Sequence, residues 1–246
     1  MRPLVFDLFC GLGGWSEAFL AEGYDCIGFD IEAHDYGNGG YPGKLVLKDI
    51  RDLSGAVLVD AYGIPACIVA SPPCQEFSYM AMPWSKAKDK MRKILASPDE
   101  QKRLCELFNE CFRIQREVSE AAGRYVPIVI ENVRGAQRWV GKARWNFGSF
   151  YLWGDVPALM PIPAKLFKGS AHNLNAGDAG VKGFDNGIYK PERGMSGWGS
   201  GHTASKSKAR KKASAEIAKI PRPLAQWIAR VFKSKPDMRR GVCITE

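Results

Sequence analysis

The chain has 246 residues, 46% of them apolar and 25% charged. That is the ordinary globular mix, long enough for one large core, and it excludes disordered, collagen-like and coiled-coil classes. Seven scattered cysteines with no Cys-x-x-Cys pair and three histidines argue against a disulfide framework and a zinc finger, and point to a reducing cytoplasm.

Taken in chain order, short apolar runs alternate with amphipathic stretches. Leu4 to Phe9 reads as a buried strand, followed after a glycine turn by a helix over Glu17 to Glu22. Cys26 to Phe29, Leu45 to Leu47 and Ala66 to Ala70 read as the next three strands. Ser97-Pro98-Asp99-Glu100 is a helix start, with Ser at the N-cap, Pro at N1 and Glu at N3. The helix runs to about Ala122, with Leu104, Leu107, Phe108, Cys111, Gln115 and Val118 along one stripe. Val126 to Ile130 is the fifth strand and Phe150 to Trp153 the sixth. This alternation predicts an α/β fold, a parallel sheet with helices on both faces, whose ligands bind beyond the C-terminal strand ends. From Lys168 the character changes: residues 169–201 hold nine glycines and few aliphatics. Residues 156–213 are therefore expected to form a small irregular lobe. Ser214 to Lys233 returns to helical periodicity, with Leu224, Trp227, Ile228 and Val231 on one face, so 1–155 and 214–246 are expected to form one domain.

Charge is uneven along this plan. Residues 190–246 carry 14 Lys/Arg against 4 Asp/Glu, while the whole chain is +9. The basic excess is C-terminal, which suggests a polyanionic partner, nucleic acid before anionic membrane, or else a solvated tail.

Three segments carry chemistry. Asp7-Leu8-Phe9-Cys10-Gly11-Leu12-Gly13-Gly14 turns from a strand into a helix, and its glycines let the backbone approach a ligand. It is too short for the dinucleotide G-x-G-x-x-G and has no phosphate-binding lysine. Asp30, ending the second strand, suits ribose hydroxyls, so the pair suggests an adenosine-containing cofactor. Pro72-Pro73-Cys74-Gln75 places a thiol at the C-terminal edge of the fourth strand. Most cysteines are inert buried thiols, but this position and its prolines favour a nucleophile. Glu131-Asn132-Val133 follows the fifth strand in the same way, as a helix cap or a general acid.

In this order and spacing, over residues 1 to about 135, these segments resemble the cytosine-C5 DNA methyltransferase family. The resemblance implies a Rossmann-like methyltransferase sheet and S-adenosylmethionine as cofactor, with no metal. Phe9, Cys10, Gly11, Leu12 and Gly14, then Asp30 with Ile31, Asp49 with Ile50, and Pro72 would hold it. It implies Cys74 as nucleophile, Glu131 as acid at the target base and Asn132 fixing the surroundings. The implied partner is a cytosine flipped out of double-stranded DNA. A monomer is expected, in a bacterial or phage-infected cytoplasm. One branch of the family methylates transfer RNA, and a non-catalytic DNA-binding relative is the third reading.

Ser78 to Lys93, a mobile loop over DNA in the family or else a solvated basic helix start, holds five Lys/Arg and Trp84. With Gln75, these suit phosphate contact and an apolar wedge. Arg193, Trp198, His202, Lys206, Lys208 and Arg210 are the candidates in the C-terminal lobe. The sequence departs from the family where an arginine cluster precedes the sixth strand: Asn146-Phe147-Gly148-Ser149 stands there, leaving Arg144 or Arg138 as substitute. The family's Gly-Asn near the C-terminus is replaced by Ala218-Lys219-Ile220-Pro221, and its arginine-led motif is reduced to Arg210-Lys211-Lys212.

Overall fold

The computed structural model describes residues 2–36, 39–75, 77, 84–160, 215–216 and 218–233. Beyond residue 160 the expected lobe lies outside the described residues, as do Ser78 and all six candidates from Arg193 to Arg210.

In chain order the elements are β1 (Leu4–Leu8), α1 (Gly14–Ala21), β2 (Asp25–Asp30), β3 (Lys44–Leu47), α2 (Gly55–Tyr62), β4 (Cys67–Ala70), α3 (Trp84–Ala96), α4 (Pro98–Ala122), β5 (Ile128–Asn132), α5 (Gln137–Val140), β6 (Trp145–Phe147), β7 (Phe150–Gly154) and α6 (Arg222–Phe232). Single 3-10 turns span Ile50–Asp52 and Arg134–Ala136. The seven strands form one sheet in the order β3-β2-β1-β4-β5-β7-β6. This is a doubly wound, Rossmann-like α/β sheet with its switch point between β1 and β4.

Side chains alternate across it as the pleat requires. Phe6, Leu8, Ile27, Phe29, Ile68, Ile128 and Ile130 pack on one face with Phe108 and Ile114 of α4. Val5, Cys26, Cys67, Val69 and Val129 pack on the other with Trp15, Phe19, Leu224 and Ile228.

The α4 start is as expected: Glu100 N–H donates to Ser97 Oγ at 3.3 Å. Other boundaries differ. Helix α1 begins at Gly14, directly out of the turn, not at Glu17. The sheet is not wholly parallel, because β7 runs antiparallel to both neighbours. The expected sixth strand is β7, and the three-residue β6 pairs with it through the turn at Gly148-Ser149. Strand β5 lies two residues later than expected, so Glu131 and Asn132 are its last residues rather than a loop after it. Residues 84–93, expected as a loop or as a solvated basic helix start, are helical in α3.

The C-terminal segment returns to the sheet as expected. Leu224, Ala225, Ile228 and Ala229 of α6 are buried against α1, whereas Val231 is 45% exposed and is not part of that face. Tyr24 donates to Ala229 O at 2.8 Å, and Lys219 Nζ lies 2.6 Å from Glu17 Oε1.

Candidate active site at the C-terminal sheet edge

After β1 the backbone passes through left-handed conformations at Phe9 (φ 57°), Gly11 (φ 49°) and Gly13 (φ 75°). A non-glycine residue held there stores strain on the order of 1–3 kcal/mol, as functional turns often do. The turn is closed by Gly13 N–H to Cys10 O at 2.7 Å. The glycines differ in purpose. A Cβ on Gly11 would meet nothing within 4 Å, so open space lies over it. A Cβ on Gly13 would sit 2.4 Å from Pro42 Cδ, and on Gly14 2.6 Å from Ile220 N. Gly14 is therefore occupied by the C-terminal segment rather than by a ligand. Cys10 and Leu12 are buried, and burial pushes the Cys10 thiol up, so both face inward and leave the turn's backbone to meet a ligand.

Asp30 is bound into this turn. Its Oδ2 accepts from Gly11 N–H at 2.9 Å, and its Oδ1 accepts from Glu32 N–H at 3.2 Å, with His34 Nε2 3.4 Å away. Burial pushes its carboxyl up, but the hydrogen bonds from His34, Gly11 and Glu32 outweigh that and hold it below the usual range. Beside this carboxylate, Ile31 is 73% exposed. Lys48 N–H donates to Asp30 O at 2.8 Å, drawing the Asp49 turn alongside. Asp49 accepts from Arg51 N–H at 2.9 Å, and the Arg51 side chain holds its carboxyl down near 2. The Ile50 side chain is buried in the core, so only its backbone can reach a ligand.

Between this turn, the Pro73 segment and α4 lies a cavity of about 340 Å³, with Arg51, Pro73, Phe77, Leu104, Leu107 and Phe108 among its lining residues. An anionic carboxylate, an exposed aliphatic and an open glycine turn suit a nucleoside with ribose hydroxyls and a flat base, while the cavity, lined also by Arg103 and Glu106, shares none of Gly11, Asp30, Ile31 and Asp49. The residues thus fit the implied cofactor. Among the described residues no group of three or more His, Cys, Asp or Glu could hold a metal ion.

Strand β4 delivers the thiol. Ser71 N–H donates to Leu8 O at 3.1 Å, and Trp15 Nε1 donates to Ser71 Oγ at 3.0 Å. Pro72 is buried and Cys74 half-buried. Cys26, Cys67 and Cys111 are fully or almost fully buried, with their thiols pushed up by burial. Strand β5 pairs with β4, Ala70 against Ile130, and so brings Glu131 and Asn132 to the same edge. Asn132 is fully buried; its amide donates to Pro72 O at 2.9 Å and its Oδ1 accepts from Val133 N–H at 2.8 Å. Asn132 thereby fixes the approach to Cys74. Glu131, 7% exposed, is buried beside it.

The expected nucleic-acid residues divide. Gln75 is exposed next to Cys74. Trp84 opens α3, its side chain lying outside the description. Arg144 is exposed, and its backbone N–H donates to Leu152 O at 2.8 Å, Leu152 being the register partner of Glu131 on β7. Arg134 and Arg138 follow β5 on the same chain segment as Glu131, Arg138 lying 5.7 Å from the Trp139 ring centre. His34, Lys219 and Ile220 escaped sequence reasoning as neighbours of the cofactor turn. Only the short spacing of His34 from Asp30 could have signalled it.

Asp7 was read only as the head of the turn. It is fully buried in β1, its Oδ2 accepting from Ser16 Oγ at 2.6 Å, Ser16 also bonding Tyr41. Burial pushes its carboxyl up from 3.8 to about 8, with Asp30 adding to the rise and Ser16 and Tyr41 opposing it. The folded state thus holds a proton that the unfolded chain releases near pH 4. This contribution to stability is complete below pH 4 and is lost as pH rises through 8. Thermal melts should show the wild type losing stability from pH 5 to 8.5 relative to Asp7→Asn; parallel curves would contradict this.

The C-5 cytosine-specific DNA methylase model matches residues 4–138. No curated protein matches the chain. Among solved structures, an Escherichia coli prophage protein named as a DNA modification methyltransferase is 20% identical over 55% of this chain and 33% of its own, with a TM-score of 0.36. Spodoptera frugiperda DNMT2 is 19% identical over 56% and 37%, with a TM-score of 0.35. Entamoeba histolytica methyltransferase EhMeth is 19% identical over 57% and 41%, also at 0.35. The chain therefore spans well under half the length of these proteins.

Proposed function

The chain belongs to the C-5 cytosine-specific DNA methylase family, and on that footing we propose that it transfers a methyl group from S-adenosylmethionine to carbon 5 of cytosine in double-stranded DNA. The observation that carries this reading is the gathering of the Gly11–Asp30 turn, Cys74 and the buried Glu131–Asn132 pair at one sheet edge. The nucleoside end of the cofactor would lie against Asp30, Ile31 and the Asp49 turn. When bound, S-adenosylmethionine supplies an electrophilic methyl group on a sulfonium.

Carbon 5 of cytosine is too electron-poor to take that methyl unaided. The Cys74 thiolate would add to carbon 6, forming an S–C bond and leaving an enamine nucleophilic at carbon 5. Glu131, as acid, would protonate or hold N3 and so neutralise the charge that addition creates. Once carbon 5 is methylated, loss of its proton and expulsion of Cys74 restore the aromatic ring. Asn132 would act through Pro72, keeping Cys74 in line. The target base must leave the helical stack to reach Cys74.

DNA as substrate rests on the family and on the C-terminal positive charge, 14 Lys/Arg against 4 Asp/Glu over residues 190–246. Among the described residues no helix is long and apolar enough to cross a membrane. Labelled S-adenosylmethionine, offered side by side with duplex DNA and transfer RNA, tests the reading. Label is expected in DNA. Label in transfer RNA alone would make this an RNA methyltransferase, and label in neither would leave a non-catalytic relative.

A further inference from the structure

Arg113 of α4 packs against the Asp49–Leu53 turn and matches no motif read in the sequence. Its side chain is 24% exposed, and Nε, Nη1 and Nη2 each donate to at least one acceptor. Nη2 donates to Ile50 O at 2.9 Å and Nη1 to Leu53 O at 3.0 Å, so one planar group holds both ends of the 3-10 turn. Nε donates to Glu110 Oε2 at 2.6 Å, Nη2 also pairs with Glu110, and Nη1 donates to Glu117 Oε1 at 2.9 Å. Glu117 Oε2 in turn accepts from Gly55 N–H at 2.8 Å, tying down the start of α2. The fit is close: a Cβ on Gly55 would lie 2.5 Å from Val118 N.

We infer that Arg113 is a positioning residue for the cofactor's nucleoside end, acting through the backbone of the Asp49–Leu53 turn. The inference rests on the proposed cofactor. Asp49 can present its carboxylate only if the turn behind it is rigid, and the turn's own bonds, Asp52 N–H to Asp49 O, Leu53 N–H to Ile50 O and Arg51 N–H to Asp49 Oδ1, all lie within the turn and tie it to nothing else. The guanidinium supplies the remaining rigidity from outside the ligand. Its five fixed donors are what the site uses, and lysine, a point charge on a flexible stem, cannot reach both carbonyls and both carboxylates together.

Calorimetry with S-adenosylmethionine on wild type, Arg113→Lys and Tyr24→Phe tests this. Tyr24→Phe removes a buried hydrogen bond on the opposite face of the sheet and serves as the destabilised control. The dissociation constant should rise about tenfold in Arg113→Lys and stay within about twofold of wild type in Tyr24→Phe. The turnover number at saturating cofactor should remain within about twofold in both. Equal affinity of Arg113→Lys and wild type, or equal weakening in Tyr24→Phe, overturns the inference. Should Arg113→Lys fail to fold, Glu110→Gln, which removes one brace and leaves both carbonyls capped, should weaken binding about threefold, and unchanged binding overturns it. Absence of binding by the wild type would instead overturn the cofactor itself, and this inference with it.

Discussion

Cys74→Ala should abolish methyl transfer to cytosine, a loss of at least about four orders of magnitude, while S-adenosylmethionine binding stays within about twofold of wild type. The size follows from the chemistry. Without addition at carbon 6 there is no enamine, and Cys10, the other described thiol at a strand end on this edge, is buried with its thiol pushed up by burial. Retained binding follows from the geometry, because Asp30 and Gly11 bond each other across the β1–β2 edge with no part played by Cys74. Cys74 is also distinguished from Cys26, Cys67 and Cys111, which are closed off in the core with thiols that burial disfavours as anions. Transfer rates and calorimetry on the same preparation measure both halves. Activity within tenfold of wild type would remove Cys74 from the reaction.

Glu131→Gln should slow the single-turnover methyl-transfer rate by about 10²–10⁴-fold. Glutamine preserves the volume and can still donate a hydrogen bond toward N3, but it cannot give up a proton. The loss should therefore fall on the rate and leave cofactor affinity unchanged. Glu131→Ala should cost more, since it also opens a void beside Asn132, the residue that holds Pro72. A rate within threefold of wild type for the glutamine variant would mean that Glu131 merely completes the end of β5.

The order of the candidate site segments was legible because it depends on short motifs at strand ends. Asp30 and the segment from Pro72 to Gln75 stand where the apolar runs before them stop, and Ser97 caps α4 as its sequence indicates. Other features depend on distant partners. Gly55-Ala-Val-Leu-Val reads as well as a strand as it does a helix, and packing on α4, with Gly55 N–H bonded to Glu117 62 residues away, favours α2. Glu131 and Asn132 look like loop residues, yet they stay in the ladder because β7 pairs with them, Glu131 to Leu152 and Asn132 to Tyr151. Pro127, lacking an N–H, helps to delay the strand's start.

Arg144 depends on a distant partner too. It lies close in sequence to the family's arginine position, but only the hairpin of β6 and β7 bonds its N–H to Leu152 O, opposite Glu131, and no sequence pattern shows that. Nor could the sequence reveal that Asp7, Ser16 and Tyr41 share one buried network, since they come from a strand, a helix and a loop. Arg113 was hidden in the same way among the charges of a long helix. Such residues are found by following hydrogen bonds rather than patterns.

Bisulfite sequencing of DNA from cells expressing the wild-type chain, beside cells expressing Cys74→Ala, tests the central claim most directly. The account predicts cytosines protected from conversion within a recurring sequence in the wild-type sample and complete conversion in the variant. Complete conversion in both, or the same protection in both, would contradict it.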